Sequence, residues 1–296
     1  MSEQIIKNTS TDIGWKSYYE LCKPKVVMLI VFTAVVGMFL AVPGMVPWQP
    51  LIFGTIGIGL AASSAAAINH YLDQKFDAKM ARTKGRPLPH GDLNGKQVLG
   101  FAFSIGIIAM LILVFLVNEL TAFLTFLSLI GYAVVYTVYL KHATPQNIVI
   151  GGAAGAAPPV LGWCAVTATI DPHALLLFLI IFIWTPPHFW ALAVARREEY
   201  AKADIPMLPV THGAEFTRLQ IVFYTVLLIL VSLLPYLTGM SGELYLVAAI
   251  GLGFWFLYYA VRLKKTADDA VAMKTFRVSI LYLMIIFSVL LIDHYV

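Results

Sequence analysis

Three polar side chains recur at four-residue intervals where a long apolar stretch of the chain ends. Asn69, Asp73 and Asp77 would share one face of a helix. Two neighbouring carboxylates repel each other, so the stripe predicts a bound cation. Mg²⁺ fits, because it prefers oxygen ligands and is commonly held by one or two carboxylates together with substrate phosphates. The alternative left open by the residues is a solvated helix end, where Lys75 and Lys79 balance the acids.

Basic side chains follow the stripe, and a second polar cluster occurs later in the chain. Arg82, Lys84 and Arg86 are predicted to bind the oxygens of a phosphate or diphosphate. The second cluster consists of Arg196, Arg197, Glu198, Glu199 and Asp204. Two such clusters facing each other would hold a metal-bridged diphosphate. In the second cluster the candidate metal ligands are Glu199 and Asp204, and the candidate phosphate ligands are Arg196 and Arg197.

The apolar surroundings indicate what carries the diphosphate. A charged head at the membrane surface and a hydrocarbon tail inside a helix bundle fit an isoprenoid diphosphate. Metal and basic groups would take up charge as the carbon–oxygen bond ionises. The apolar cavity would keep water away from the allylic cation. Asp73 and Asp77 are therefore predicted catalytic acids, together with an acid of the second cluster.

Composition places these clusters in a membrane protein. Of 296 residues, 60% are hydrophobic and only 12% are charged, and the mean hydropathy is +0.82. A soluble domain of this length would be about one quarter charged. The apolar runs are long enough to cross a bilayer as helices, and they lack the alternating polarity of membrane β-strands. The sequence predicts an all-α, polytopic bundle.

Nine apolar segments can be marked along the chain. They are 26–44, 50–70, 98–117, 120–140, 148–168, 174–195, 217–238, 243–263 and 276–294. All 20 Lys and Arg residues lie in the N-terminal stretch, or in or within two residues of the connections after the second, fourth, sixth and eighth segments. The positive-inside rule then predicts a cytoplasmic N-terminus and an external C-terminus. Residues 1–296 are expected to form one membrane domain, with a cytoplasmic segment over 1–25 and no signal peptide.

Several motifs resemble the UbiA-type intramembrane prenyltransferases. The first signature of that family is matched by Asn69-x-x-x-Asp73-x-x-x-Asp77 with Arg82-Thr83 and Arg86-Pro87. Further stretches are similar to its haem-modifying branch: Lys23-Pro24-Lys25, Thr144 to Gly152, Trp184 to Leu192, and Ile205 to Pro209. One departure is Glu199-Tyr200, where the family usually has Asp-Tyr; the resemblance implies that Glu199 is the catalytic acid of this motif. Asp204 follows Glu199 by five residues, so either acid could be the ligand.

The resemblance implies a nine-helix bundle in the bacterial inner membrane and a Mg²⁺-dependent reaction. Farnesyl diphosphate would react with the 2-vinyl group of haem B, giving the hydroxyethylfarnesyl side chain of haem O and diphosphate. The implied partners are the two substrates and the lipid bilayer, with no nucleic acid. Docking of a downstream enzyme that oxidises haem O is left open.

Three residues are candidate haem contacts. His188 lies behind Pro186-Pro187 inside an apolar segment, and ionisable groups within membrane segments are functional candidates. Imidazole is a common ligand of haem iron, and the alternative is a hydrogen-bonded structural histidine. Trp190 would stack on the porphyrin or fill the bundle. His142, beside the candidate diphosphate ligand Lys141, would bind a haem propionate or the diphosphate, or remain a solvated interface residue.

Two other functions compete with this interpretation. One is a prenyltransferase that acts on a quinone-type aromatic acceptor, against which the haem-branch stretches argue. The other is a transporter. Transporters place polar contacts near the bilayer midplane, whereas the acids here gather at one face of the membrane. An interfacial catalytic site is therefore the favoured prediction.

Overall fold

The computed structural model describes residues 14–81 and 83–296, and its long elements are helices. Their bounds are α1 Trp15–Leu21, α2 Pro24–Leu40, α3 Pro50–Asp77, α4 Gly95–Leu116, α5 Glu119–Leu140, α6 Asn147–Thr167, α7 Pro172–Ala195, α8 Ala214–Leu237, α9 Glu243–Thr266 and α10 Asp269–His294. Short helices lie in the connections, at Pro87–His90, Arg197–Lys202 and Leu208–Thr211. No strand occurs in the described ranges.

The predicted all-α, nine-helix architecture is confirmed. Within the described residues, eight helices (α3 to α10) are long and apolar enough to cross a membrane, and α1 with α2, bent by 53°, makes the ninth. The main difference in bounds concerns α3, which continues to Asp77 although its apolar run was predicted to end at residue 70. It continues because its last polar side chains are paired by neighbouring elements. The predicted stripe therefore lies on one unbroken helix.

Side chains in the turns fix the helix ends at the face of the bundle away from the acids. The Asn118 side chain accepts a hydrogen bond from Thr121 N at 2.9 Å, which caps α5. Its amide nitrogen donates to the Cys164 carbonyl of α6 at 2.9 Å. At the end of α10, His294 Nε2 lies 2.9 Å from the Val42 carbonyl oxygen after α2. These contacts bring the turns after α2 and α4 and the C-terminal ends of α6 and α10 to one face.

Two glycines allow α2 and α6 to approach closely. A Cβ atom on Gly162 would collide with the Ala34 carbonyl oxygen, and one on Gly37 would collide with the Pro159 carbonyl oxygen. Small residues at such crossings let backbones touch, which is a main source of helix association in lipid. The crossing determines where α2 stands in the bundle. It therefore also determines where Lys23, just before α2, meets the other helices.

This crossing makes a prediction about stability. Gly162→Ala should lower the free energy of unfolding by about 1–3 kcal/mol, because the new methyl group meets backbone that cannot rotate away. The matched control is Gly155→Ala on the same helix, since a Cβ there has no atom within 4 Å. Thermal unfolding in detergent measures both variants. Equal unfolding temperatures would contradict the proposed role of the crossing.

Candidate active site

The last two turns of α3 bury the predicted stripe. Asn69, Asp73 and Asp77 are only 4%, 5% and 5% exposed. The Asn69 amide nitrogen donates to Asp73 Oδ2 at 2.9 Å, so the two side chains meet along the helix as their spacing predicts. Buried carboxylates are costly unless each is paired. The solvated helix end considered above is therefore wrong for these residues.

Asp73 is paired by a lysine that directly follows α5. Lys141 Nζ, directly after α5, lies 2.6 Å from Asp73 Oδ1, and the two side chains are only 11% and 7% exposed. One turn earlier, Thr137 Oγ1 accepts a hydrogen bond from the Asn69 amide nitrogen at 3.2 Å. The end of α5 thus contacts the stripe twice, and the structure brings Lys141 to the predicted acids.

Asp77 is paired by the connection that follows α3. Arg86 Nη1 lies 2.6 Å from Asp77 Oδ2, and the Thr83 hydroxyl donates to the Asp77 carbonyl oxygen at 2.9 Å. The chain turns back so that an arginine nine residues later meets the acid. Lys84 is exposed beside this turn. Arg82 lies outside the described residues.

Lys23 belongs to this site and was not predicted. Its Nζ lies 2.5 Å from Asn69 Oδ1, so Asn69 joins a lysine, a threonine and Asp73. Lys23 has φ +49°, a left-handed conformation, at the bend between α1 and α2. The signal in the sequence was a lysine next to Pro24 at the start of an apolar segment. Its 46-residue separation from Asn69 hid the contact.

The second cluster contains one enclosed acid and one exposed acid. Glu199 Oε1 lies 2.7 Å from Arg196 Nη1, while Oε2 is buried and, within the described part of the chain, has no hydrogen-bond partner. The Asp204 side chain is 83% exposed and lies 3.5 Å from Lys79. Arg197 is exposed. An enclosed carboxylate oxygen without a partner is the one with capacity for a ligand.

The two polar connections face each other, as the sequence predicts. Lys79 and Asp204 join them at the surface. Beneath that pair, one hydrophobic cluster contains Met80 from the first connection with Tyr200 and Ile205 from the second. The clusters separated by four apolar segments therefore form the two sides of one polar end of the bundle.

This donor set fits Mg²⁺ shared with a diphosphate and not a closed protein cage. Across the described residues, no three His, Cys, Asp or Glu side chains gather in a metal-holding arrangement. Asp73 and Asp77 supply hard oxygens, and the enclosed Glu199 Oε2 lacks a partner. Magnesium typically takes one or two carboxylates and completes its shell with water and substrate phosphates. The residues present meet that requirement.

The candidate haem residues lie deeper in the bundle. His188 is 8% exposed, and its Nδ1 lies 2.7 Å from Ser279 Oγ on α10. Trp190 is 1% exposed and packs edge-to-face on Tyr224, with 5.2 Å between ring centroids. That enclosure favours the packing role for Trp190. The side chain of His142 lies outside the described part of the structure.

Fold and site together define a polytopic helical membrane protein whose polar end carries buried acids paired with basic side chains. The UbiA prenyltransferase family matches residues 30–288. The chain belongs to this family, and it is a prenyltransferase. The transporter alternative is therefore wrong.

Similar proteins agree on the haem-modifying branch of this family. The protoheme IX farnesyltransferase of Methylococcus capsulatus is 66% identical over 284 residues, which cover 96% of this chain and 95% of that protein. The enzyme of the same name from Nitrosococcus oceani is 62% identical over 282 residues, covering 95% and 94%. The predicted resemblance to the haem-modifying branch is thus confirmed.

Solved structures show the same fold at low identity. Digeranylgeranylglyceryl phosphate synthase superposes with a TM-score of 0.79 at 18% identity, covering 95% of this chain and 98% of that one. A UbiA homolog from Archaeoglobus fulgidus, bound to GPP and Mg²⁺, superposes with a TM-score of 0.63 at 15% identity, covering 93% and 99%.

The buried Asp73–Lys141 pair makes a prediction. Asp73→Ala should abolish prenyl transfer and cost about 3–5 kcal/mol of stability, because Lys141 is left buried without its counter-charge. The double variant Asp73→Ala/Lys141→Ala should regain most of that stability and remain inactive. Thermal unfolding and a transfer assay separate the two effects. A double variant no more stable than Asp73→Ala would contradict the pairing, and an active Asp73→Ala would contradict the site.

Proposed function

We propose that this prenyltransferase moves the farnesyl group of farnesyl diphosphate to the 2-vinyl group of haem B, giving haem O and diphosphate. The observation that carries the proposal is the pair of buried carboxylates on α3, each held by a cation from another element. The names of the most similar relatives support haem as the acceptor. A quinone-type acceptor has no comparable support.

The cations around α3 are proposed to bind the diphosphate. Lys23, Arg86 and Lys141 surround Asp73 and Asp77, so three basic groups face two acids. The ion pairs hold Arg86 and Lys141 in position before an anion arrives, and the hydrogen bond to Asn69 does the same for Lys23. Further cations for the phosphates are Arg82, Lys84, Arg196 and Arg197.

Asp73, Asp77 and Glu199 are proposed to hold Mg²⁺ with the diphosphate. The metal would draw electron density from the leaving group. Asn69 aids this by orienting Asp73, since its own carbonyl oxygen already accepts from Lys23. Asp204, which is exposed and lies beside Lys79, contributes less than Glu199.

The reaction balances without a redox partner. The allylic carbon–oxygen bond breaks, and its electron pair leaves on the diphosphate, where the basic side chains stabilise the charge. The vinyl π electrons of haem form the new carbon–carbon bond. Water then adds to the resulting cation and loses a proton, which leaves a hydroxyl group. Apolar helix faces keep other water away from the allylic cation.

The acceptor and the membrane orientation complete the proposal. Haem contacts are assigned to His188, with Trp190 and His142 as further candidates. The polar end would face the cytoplasm of a bacterium, because every Lys and Arg lies in the N-terminal stretch, in connections on that side or at the helix ends beside them. The whole chain, 1–296, would act as one domain in the inner membrane, with residues 1–25 in the cytoplasm and the C-terminus outside. Its product would pass to an enzyme that oxidises haem O.

Product analysis tests the activity directly. Purified protein supplied with haem B, farnesyl diphosphate and Mg²⁺ should form haem O, detected by its mass, and chelation of the metal should stop the reaction. A parallel reaction with a quinone-type aromatic acid in place of haem should give no product. If protein that binds haem prenylates only the aromatic acid, then that acid and not haem is the acceptor.

The second cluster gives a matched pair of variants. Glu199→Gln should lower the transfer rate by at least about tenfold, because it removes a charge from the enclosed acid. Asp204→Asn should leave the rate within about twofold, since an exposed ion pair contributes little. Rates at saturating farnesyl diphosphate compare the two. The opposite ranking would assign the metal ligand to Asp204.

A further inference from the structure

Four side chains from α7 and α10 form an enclosed contact that the prenyl-diphosphate site does not use. We call Trp184, His188, Phe276 and Ser279 the aromatic clasp. The His188 ring stacks between Trp184, at 4.2 Å and 17° between planes, and Phe276, at 4.5 Å and 24°. The Trp184 indole N–H donates to the Ser279 carbonyl oxygen at 2.7 Å. The clasp therefore fixes both the position and the plane of the imidazole.

Hydrogen bonding within the clasp selects one tautomer of His188. Ser279 Oγ lies 2.7 Å from His188 Nδ1 and 2.7 Å from the Phe276 carbonyl oxygen. A carbonyl oxygen only accepts, and the hydroxyl has a single proton to donate. With the imidazole proton on Nδ1, His188 donates it to Ser279 Oγ, and the Ser279 hydroxyl donates its own proton to the Phe276 carbonyl oxygen. Both donors are then satisfied. With the proton on Nε2, the Ser279 hydroxyl must donate its proton to His188 Nδ1, and its hydrogen bond to the Phe276 carbonyl oxygen is lost.

The same geometry leaves one point of access to the imidazole. Both ring faces are covered, by Trp184 and Phe276, and Phe189 lies edge-on at 5.2 Å. A porphyrin therefore cannot stack on this ring. Only the edge that carries Nε2 remains, and in the selected tautomer Nε2 has a free lone pair. Such a nitrogen is what iron takes as an axial ligand.

We propose that Ser279 is a positioning residue that holds His188 in the Nδ1–H tautomer, so that His188 Nε2 ligates the iron of the haem acceptor. The inference rests on the proposed function, because it requires haem as the acceptor. It goes further by replacing general haem contact with axial ligation and by naming the residue that prepares the ligand. Ligating histidines commonly donate their other N–H to such an acceptor, which fixes the ring and raises its basicity.

The tautomer is tested on the unliganded wild-type protein. Nitrogen-15 spectra of histidine-labelled protein in nanodiscs should show His188 protonated at Nδ1 and unprotonated at Nε2, with His188→Gln used to assign the signal. This measurement needs no activity and no substrate. A His188 signal protonated at Nε2 would overturn the proposed role of Ser279.

Haem titration tests the ligation. Wild-type protein should give the absorption and electron paramagnetic resonance spectra of imidazole-bound ferric haem, and His188→Gln should lose them while its amide can still donate to Ser279. Ser279→Ala should bind haem about 10–100-fold more weakly, as losses of such outer-shell partners do. Ser288→Ala is the matched control, because Ser288 donates to the Met284 carbonyl oxygen of the same helix at 2.8 Å. Its haem affinity should not change.

The outcomes separate this inference from the proposed function. Haem O formation without an imidazole-bound spectrum would retain farnesyl transfer and overturn the ligation. An imidazole-bound spectrum lost in His188→Gln, without any haem O, would retain the ligation and overturn the proposed reaction. A Ser279→Ala variant that binds haem as tightly as the wild-type protein would overturn the positioning role.

Discussion

The rest of this structure depends on the pairing of charges that are buried at one end of α3. An unpaired carboxylate in such a place costs several kcal/mol, and Asp73 and Asp77 are each about 95% enclosed. Their counter-charges come from outside α3, namely Lys141 after α5 and Arg86 in the connection that follows α3. The helix connections must therefore deliver these elements to the same face of the bundle. Charges that stabilise each other in this way are also well placed for a diphosphate and its metal.

The position of α2 links helix packing to this polar end. Lys23 contacts Asn69 because packing fixes the position of α2 along the axis of the bundle. Gly37 and Gly162 permit that position, since any side chain there would meet backbone of the opposite helix. At the other end of the bundle, His294 and Tyr295 bond to carbonyl oxygens in the turn after α2. Contacts thus hold α2 at both ends. The position of Lys23 beside the acids depends on helix packing that occurs far from them.

A second set of constraints acts deeper in the membrane, where water cannot satisfy polar groups. There, Trp184 and His188 of α7 both bond to Ser279 of α10. These bonds stabilise the contact between two long helices, and no residue in the described ranges forms a hydrogen bond with the other nitrogen of the histidine. The polar end and the aromatic clasp thus share one feature: polar side chains pair across helices, and one atom of each group faces the place where a substrate is proposed to bind. Glu199 Oε2 is the corresponding atom at the polar end.

The sequence by itself determined the class of protein, the number of spans, the end of the bundle that carries charge, and the stripe on α3. These follow from local rules, since hydropathy, helical periodicity and charge counting act over one helix or one connection. Only the tertiary structure decided that Lys23 and Thr137 belong to the site, that Glu199 is enclosed while Asp204 is exposed, and that Ser279 pairs with His188. Those contacts join residues 46, 68 and 91 positions apart. No local pattern encodes such a distance, because it depends on how the helices pack against one another.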